Sequence, residues 1–332
     1  MPELRQNMAT KEWVVIATER AKRPHDYVDA QRPLATEIQA PYDPICPFCP
    51  GNEELDLEIE RLPATGPWQT RVVDNKFPAL LRDGELVRTY DGVHRCISGV
   101  GYHEIVVESP RHNTTLALMS PLEIQAVLQT IYNRGWSIAK DGRIEQLIYF
   151  KNHGERAGAS LKHPHSQIIG LPVVSNSIRH RIEEAWRYFD DHGECVYCVM
   201  VRDELNKSER LIMANDHFVA FVLYAAPSPF STWIVPRQHS VSFLYSQSDQ
   251  MAGLAEIIQN IMYRFYIGLR DPNYNLIIRT APIKELSNDY FHWYVTIVPR
   301  LSRTAGFELG SGMFINPSLP EESAAFLREV KI

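Results

Sequence analysis

The sequence lacks any long apolar or basic run. No apolar stretch approaches the roughly 18 residues of a membrane-spanning helix, and the N-terminal stretch has no apolar signal-peptide core. The chain carries 34 Lys and Arg against 40 Asp and Glu, a net charge of −6 without a basic stripe. We therefore expect a cytoplasmic protein whose partners include neither a membrane nor a nucleic acid.

Cysteine is also scarce, with five in 332 residues, but four of the five form two C-x-x-C pairs. In a reducing compartment such pairs indicate metal ligation or redox chemistry rather than disulfides. A redox pair would lie between a strand and a helix, and we expect that context at neither pair. Metal ligation is therefore favoured, and the unpaired Cys96 is expected to be a packing or surface residue.

Secondary-structure signals predict an α+β protein. Residues 17–70 are rich in Pro, Arg and acidic residues and are expected to form a long ordered loop around the first cysteine pair. Strands are expected over 103–109, 144–152, 165–174, 211–223, 230–239, 274–282 and 290–300, and helices over 121–140, 177–193 and 246–269.

These elements recur in one order, which indicates an internal duplication. Each half has a cysteine pair, an Asn-containing strand, a strand followed by Pro and His, a helix, a strand and a His-containing strand. The two histidines are 51 residues apart in the first half and 53 in the second. We predict two domains, 1–176 and 177–332, each an antiparallel sheet with flanking helices.

The duplication predicts two four-ligand metal sites. The first consists of Cys46, Cys49, His112 and His163, and the second of Cys195, Cys198, His239 and His292. Four thiolate and imidazole ligands suit tetrahedral Zn²⁺ and leave no open position, so two structural Zn²⁺ per chain are expected. The alternative is that the histidines are ordinary strand-end residues and the cysteines are buried apolar groups.

In "HPHSQ", residues 163–167, two imidazoles lie two residues apart. On an extended segment we expect their rings to point to opposite faces, with His163 bound to metal and His165 facing a substrate. A neutral imidazole is a competent nucleophile at neutral pH. Gln167 could donate to a phosphoryl oxygen. The corresponding position in the second half is Tyr294, so we expect only the first half to be catalytic.

The chain resembles the galactose-1-phosphate uridylyltransferases, the duplicated branch of the histidine-triad superfamily. Besides "HPHSQ", the resemblance rests on "RAKRP" (20–24), "CPFCPGNE" (46–53), "DNKFPAL" (74–80), "GYHEIVVESPRH" (101–112) and "KNHGERAGASLKHPHSQ" (151–167). It implies two tandem histidine-triad-like repeats. It also implies a ping-pong reaction in which His165 attacks the α-phosphorus of a nucleotide sugar and holds the nucleotidyl group for an acceptor.

The resemblance implies further site residues and a homodimer. Phe307 and Glu308 match a segment that can complete a neighbouring subunit's site. Gln167 would orient the transferred phosphoryl group, and His103 has no expected role. The implied substrate-binding residues are Arg20, Arg23, Asn75, Asn152, Gly158, Ala159, Ser160, Phe307 and Glu308.

The main expectation is a UDP-glucose:hexose-1-phosphate uridylyltransferase. Three features are similar to the ADP-glucose phosphorylase branch, which moves AMP onto phosphate. They are Ser166, which stands where the uridylyltransferases usually have Gly, the second cysteine pair, and the stretch "AGFELGSG". An alternative of another class is a zinc-stapled nucleotide-binding protein without catalysis. Such a binding protein would not need His165, an imidazole two residues beyond the predicted metal ligand His163, so this residue distinguishes the enzyme from the binding protein.

Overall fold

A computed structural model describes residues 1–18, 24–28, 34 and 39–332. Its strands are β1 (Glu3–Gln6), β2 (Trp13–Ile16), β3 (Glu58–Leu62), β4 (Thr70–Asp74), β5 (Arg88–Asp91), β6 (His94–Ile97), β7 (Tyr102–Val107), β8 (Gln146–His153), β9 (His165–Leu171), β10 (Leu211–Ala214), β11 (Phe218–Val222), β12 (Thr232–Pro236), β13 (Tyr274–Arg279), β14 (Tyr294–Pro299) and β15 (Phe314–Asn316). Its α-helices are α1 (Pro121–Ala139), α2 (Asn176–His192), α3 (Val196–Lys207), α4 (Ser248–Gly268), α5 (Gly306–Ser311) and α6 (Pro320–Glu329). None of these helices is long and apolar enough to cross a bilayer.

Ten strands form one antiparallel sheet in the order β10-β11-β12-β14-β13-β8-β9-β7-β4-β3. The order from the outer edge to the centre is β3-β4-β7-β9-β8 in the first half and β10-β11-β12-β14-β13 in the second. The two halves therefore have the same topology and join where β8 pairs with β13, Tyr149 opposite Ile278. The predicted fold class, α+β with two tandem histidine-triad-like repeats, is confirmed. The domain boundary between residues 176 and 177 stays a prediction.

One face of the sheet is covered by helices. Tyr149, Ile168 and Ile278 point to this face and are buried. α1 packs so closely there that a Cβ on Gly135 would collide with the Tyr149 hydroxyl oxygen. α4 packs beside α1 and also contacts β10 and β11. Burying each large apolar side chain contributes about 1.5–3 kcal/mol, so this face is the main core.

The other face of the sheet is available for chemistry. Residues on it alternate with the core residues, and they include His165 and Gln167 on β9, Phe150 on β8 and Thr296 on β14. Two cavities open on this face, one over each repeat. The sheet therefore has one face covered by α1 and α4 and one face that carries the cavities, where α3 also packs through Tyr197 against Trp233 and Tyr294.

The three predicted helices are present within a few residues of their expected ends. α1 begins after the N-cap Ser120, whose hydroxyl accepts from the Glu123 N–H, and the Glu123 carboxylate accepts from the Ser120 N–H in return. α2 ends at Gly193, which has a φ of 72°, a left-handed conformation that glycine adopts without strain. Local sequence signals therefore placed these helices correctly.

Several expectations were wrong in detail. The predicted loop over 17–70 contains a 3-10 helix at Leu55–Leu57 and the edge strand β3. Charged residues in "EIERL" hide the strand pattern, as is common on sheet edges. The hairpin β5–β6, which carries the exposed Cys96, and helix α3 were not anticipated.

Candidate active site and metal clusters

The first predicted metal set converges in the structure. Cys46, Cys49, His112 and His163 are all buried, and their ligand atoms lie within 4.8 Å of one another. The distance between Sγ and Nδ1 is 3.4 Å for Cys49 and His112, 3.6 Å for Cys49 and His163, and 3.7 Å for Cys46 and His163. Tetrahedral Zn²⁺ with ordinary bond lengths places sulfur and nitrogen about 3.6 Å apart. The cluster therefore fits a four-coordinate metal.

The surroundings of this cluster also suit a metal. Nε2 of His163 donates to the carbonyl oxygen of Ser109 at 2.7 Å, which leaves Nδ1 as the ligating atom. Burial lowers the pKa of His163 to about 4, so the ring is neutral at pH 7. Burial raises the pKa of the Cys46 thiol to about 11, so ionisation of this thiol requires a nearby cation.

The second predicted set converges in part. Cys195, Cys198 and His239 bring their ligand atoms within 4.8 Å, with Cys198 Sγ 3.5 Å from His239 Nδ1. The His292 ring lies 5.1 Å from the His239 ring, but its Nδ1 faces the carbonyl oxygen of Trp293 at 2.8 Å. The structure therefore assembles three of the four predicted ligands, and His292 as the fourth stays a prediction.

The second cysteine pair lies at the start of a helix that the sequence analysis did not predict. Cys195 is the N-cap of α3, and a hydrogen bond from Cys195 is the largest contribution that lowers the pKa of Cys198 to about 4. The chain arrives there from α2 rather than from a strand. The pair therefore differs from the strand-to-helix arrangement of redox cysteines.

His165 is the first residue of β9 and lines a cavity of about 480 Å³. Its Nδ1 donates to the carbonyl oxygen of His163 at 2.8 Å, which places the lone pair of the neutral ring on Nε2. Burial lowers the pKa of His165, which favours this neutral form. The ring is thus held as a tautomer whose free nitrogen can act as a nucleophile.

The expectation that His163 and His165 point to opposite faces is wrong. Residues two apart on an extended chain share a face. The Phe48 ring contacts both imidazoles, with centroid distances of 6.0 Å to His163 and 5.6 Å to His165. Their different environments arise because His163 precedes β9 and turns toward the cysteines, whereas His165 lies on the strand.

A buried ionic network supports the strand beneath His165. Lys151 Nζ donates to Glu108 Oε2 at 2.7 Å and to the carbonyl oxygen of His165 at 3.3 Å. Ser166 Oγ donates to the other carboxylate oxygen of Glu108 at 2.6 Å. The network gives Ser166 a structural role at this position. Sequence reasoning missed Lys151 and Glu108, since a strand lysine and a strand-end glutamate carry no local signal of their pairing.

Gln167 is oriented by His103, to which the sequence assigned no role. The Ala79 N–H donates to His103 Nδ1 at 3.1 Å, so the neutral ring carries its proton on Nε2. That nitrogen lies 2.9 Å from Gln167 Oε1 and donates to it. The amide nitrogen of Asn75 also lies 3.0 Å from Nε2, but in this tautomer both atoms carry hydrogens, so the contact is not a hydrogen bond. Gln167 therefore retains its NH₂ group as a donor for a ligand in the cavity.

The predicted substrate residues are distributed unevenly. Asn75 and Ser160 line the His165 cavity. The N–H groups of Gly158 and Ala159 bond inside their own turn, to Glu155 and Gly154 carbonyl oxygens respectively. They are therefore engaged in the turn, and their part in a phosphate cradle stays a prediction. Arg20 and Arg23 lie outside the described residues.

Two further predicted groups lie away from this cavity. Asn152 accepts a hydrogen bond from Asn275 at 2.8 Å and borders the cavity over the second repeat, as does Glu308. The Phe307 side chain on α5 is 47% exposed. Within one chain, Asn152, Phe307 and Glu308 are therefore not among the residues that line the His165 cavity.

Two sequence models of one family match the chain: galactose-1-phosphate uridyl transferase, N-terminal domain, over residues 1–175, and C-terminal domain over residues 181–313. The chain belongs to the galactose-1-phosphate uridyl transferase family. The family prediction and the predicted enzyme class, a hexose-1-phosphate nucleotidyltransferase, are confirmed.

Individual relatives match the full chain. ADP-glucose phosphorylase of Arabidopsis thaliana is 37% identical over 100% of this chain and 93% of its own. Galactose-1-phosphate uridylyltransferase of Thermotoga maritima is 28% identical over 100% of this chain and 99% of its own. Among solved structures, an Arabidopsis thaliana ADP-glucose phosphorylase with bound ADP-glucose has a TM-score of 0.83 at 34% identity, covering 100% of this chain and 99% of its own. A uridylyltransferase structure has a TM-score of 0.75 at 26% identity, covering 99% of this chain and 98% of its own.

Proposed function

We propose that this family member transfers a nucleotidyl group from a nucleotide sugar through a covalent adduct on His165. The observation that carries the proposal is the fixed tautomer of His165 in the cavity. The donated hydrogen bond from Nδ1 leaves a lone pair on Nε2. A ligand binder without catalysis has no need of such a nucleophile.

The reaction takes two displacements. The Nε2 lone pair attacks the α-phosphorus, the bond from that phosphorus to the bridging oxygen breaks, and hexose 1-phosphate leaves with the electron pair. An oxygen of the acceptor phosphate then attacks the same phosphorus, and the P–N bond electrons return to Nε2. The ring is cationic in the adduct, and the His163 carbonyl at Nδ1 stabilises that charge.

Gln167 and Asn75 would position the substrate. The NH₂ group of Gln167 would donate to a non-bridging oxygen of the transferred group, where charge builds in the transition state. Asn75 and Ser160, on the cavity wall, would contact the nucleotide. Pairing of Arg20 and Arg23 with substrate phosphate rests on the resemblance in "RAKRP" and remains part of the proposal.

ADP-glucose is the donor that we propose, with inorganic phosphate as acceptor. The 37% identity to an ADP-glucose phosphorylase over the full chain, and the similarity to a structure holding ADP-glucose, support this choice over the main expectation from the sequence. UDP-glucose with galactose 1-phosphate is the second candidate. The full-length similarity to a uridylyltransferase supports it.

A side-by-side assay tests this choice. The protein is given either ADP-glucose with inorganic phosphate or UDP-glucose with galactose 1-phosphate, and kcat/KM is measured for each. We expect kcat/KM to be higher for the first pair. Faster turnover of the second pair would make the enzyme a uridylyltransferase. If neither pair turned over, the non-catalytic nucleotide-binding alternative would be favoured.

We further propose that both Cys/His clusters hold Zn²⁺, two per chain, in structural roles. The Sγ to Nδ1 distances in the first cluster support tetrahedral coordination. The second cluster supports the same metal with His292 turning to complete the set. Elemental analysis of the purified protein should give two Zn per chain, and one would mean that only the first cluster is filled. The cytoplasmic location stays a prediction.

A homodimer is the assembly that we propose. Phe307 and Glu308 do not line their own chain's His165 cavity, which fits a role in a neighbouring subunit. Mixing inactive His165→Ala and Glu308→Ala chains tests this, because the mixed dimer contains one complete site. We expect recovery of about a quarter of wild-type activity after random exchange. No recovery from chains shown to exchange would count against a shared site.

A further inference from the structure

A second cavity lies mainly over the second repeat, on the face of the sheet that carries His165, and Phe150 and Asn152 on β8 also border it. Its volume is about 540 Å³, and Arg181, Trp233, Arg279 and Thr296 are part of its lining. It shares no lining residue with the His165 cavity. Within one chain it is therefore separate from the His165 cavity, and Asn152 and Glu308 lie on its wall.

Strand pairing shows that this cavity is the duplicated counterpart of the catalytic one. In the first repeat Phe150 pairs with Gln167, and in the second Ile277 pairs with Thr296. The paired strands occupy the same places in the two halves of the sheet. Thr296 therefore stands where the catalytic repeat has Gln167.

The same register identifies what replaced the catalytic groups. Two residues before Thr296, Tyr294 stands in place of His165, and it pairs with Arg279. Two residues beyond Ile277, Arg279 stands in place of Asn152. The second repeat thus lacks the nucleophile and has gained a guanidinium directed to the cavity.

The two arginines of this cavity have unused hydrogen-bonding capacity. Arg279 makes no hydrogen bond or ion pair with any described residue, and burial lowers its pKa. Arg181 Nη1 donates to the Tyr294 hydroxyl at 3.1 Å, and Nη2 lies 3.7 Å from Glu12 Oε1. The buried Nε of Arg181 has no partner in the described part of the chain. Each guanidinium has five N–H donors, and buried donors without acceptors destabilise a fold.

The cavity has more cations than available carboxylates. Arg300 and Arg303 also line it. Of the lining carboxylates, that of Glu308 accepts from the Ala305 N–H at 2.8 Å, and that of Glu12 lies near Arg181. An anion with several acceptor oxygens would satisfy the unpaired donors. Phosphate matches guanidinium in geometry and charge.

Arg279 and His165 lie at well-separated positions on the same face of the sheet. Two strand spacings separate them across the sheet, and four residues along β9 separate His165 from the row of Arg279. These steps place their backbones roughly 16 Å apart.

We propose that the second-repeat cavity binds a phosphate-bearing small molecule through Arg181 and Arg279, as a non-catalytic site evolved from the duplicated active site. A nucleoside monophosphate, a hexose 1-phosphate and inorganic phosphate share the required group. The volume suits the larger two.

Titration calorimetry of the full-length, metal-loaded protein tests the proposal. AMP, glucose 1-phosphate and inorganic phosphate are titrated separately into wild type, Arg279→Gln, Arg279→Lys and the control Arg88→Gln, whose arginine is exposed on the β5–β6 hairpin. AMP alone has no leaving group for transfer, so binding is measured without turnover. Melting temperatures of all four proteins are compared to exclude unfolding.

We expect at least one of the three ligands to bind at an Arg279-dependent site in addition to the catalytic cavity. In Arg279→Gln its Kd should rise about tenfold or more, Arg279→Lys should retain part of the affinity, and Arg88→Gln should match wild type. The ligand whose Kd depends most strongly on Arg279 shows which chemical group the site binds together with the phosphate. Equal stoichiometry and affinity in wild type and a folded Arg279→Gln, for all three ligands, would overturn the proposal. Because the experiment measures binding and not nucleotidyl transfer, its result can be interpreted even if the proposed reaction does not occur.

Discussion

His103 offers a test of how the site orients Gln167. Its two ring nitrogens make different contacts: Nδ1 accepts from Ala79 N–H at 3.1 Å, and Nε2 donates to Gln167 Oε1 at 2.9 Å. His103→Gln places an amide near the position of Nε2 and can keep the donor to Gln167. His103→Asn places an amide near Nδ1 and can keep only the Ala79 contact. The pair therefore separates orientation of Gln167 from support of the loop.

The size of the effect follows from the bonds that are lost. The bond from Nε2 to Gln167 contributes about 0.5–1.5 kcal/mol. If Gln167 then turns its amide, a donor to the charged phosphoryl group is also lost, about 1.5–3 kcal/mol. Since 1.36 kcal/mol is tenfold in rate, loss of the phosphoryl donor alone should lower kcat of His103→Asn by roughly 10- to 150-fold. His103→Gln should stay within about threefold of wild type, because the donor is preserved.

Steady-state kinetics with ADP-glucose and phosphate measure both constants. We expect the loss in His103→Asn to fall on kcat more than on KM, because the Gln167 contact strengthens in the transition state. Gln167→Ala in the same assay sets the upper limit of the effect. The orientation argument would be refuted if His103→Asn matched wild type while His103→Gln lost activity, or if both variants lost equally.

Three further predictions concern stability. Removing metal with a chelator should lower the melting temperature by roughly 10 °C or more, measured by calorimetry, because buried thiols and imidazoles in the clusters lose their common partner. Lys151→Met should lower the free energy of unfolding by about 3–5 kcal/mol in denaturant titrations, because Glu108 would remain as a buried unpaired charge. Ser166→Ala should cost about 1–3 kcal/mol in the same titration, since the Glu108 carboxylate loses its 2.6 Å donor.

Each stability prediction has its own control. Zn²⁺ added back after chelation should restore the melting temperature, and an unchanged melting temperature in metal-free protein would contradict a structural role. For the ion pair, the double variant Lys151→Met/Glu108→Gln removes both charges and should be more stable than Lys151→Met alone. A Lys151→Met protein as stable as wild type would show that the Glu108 charge is compensated elsewhere. Ser166→Thr keeps the hydroxyl and serves as the matched variant for Ser166→Ala.

Features set by local spacing could be predicted from the sequence. The C-x-x-C pairs and their distant histidines recur in matched order, so the first Cys/His cluster followed from counting candidate ligands in each half. The helix at Pro121–Ala139 followed from its Ser-Pro start. His165 stood out because it follows a predicted ligand by two residues and Tyr294 replaces it in the second copy.

Features set by long-range contacts could not be predicted in this way. Lys151 and Glu108 are 43 residues apart and meet only because β8 and the end of β7 flank β9. The orientation of Gln167 depends on a tautomer that a backbone N–H from a different loop fixes. The expectation of opposite faces for His163 and His165 applied the strand period wrongly, because residues two apart share a face. In the structure the Phe48 ring contacts both imidazoles.

The most direct test of the central claim is detection of the covalent adduct. Wild type and His165→Ala are incubated with ADP-glucose without acceptor, and with UDP-glucose in parallel, then digested and mapped by mass spectrometry. We expect one acid-labile, base-stable nucleotidyl group on His165, lost on adding phosphate, and none in a folded His165→Ala protein. A wild-type enzyme that turns over its substrates with no adduct, or an equal adduct on His165→Ala, would contradict the account.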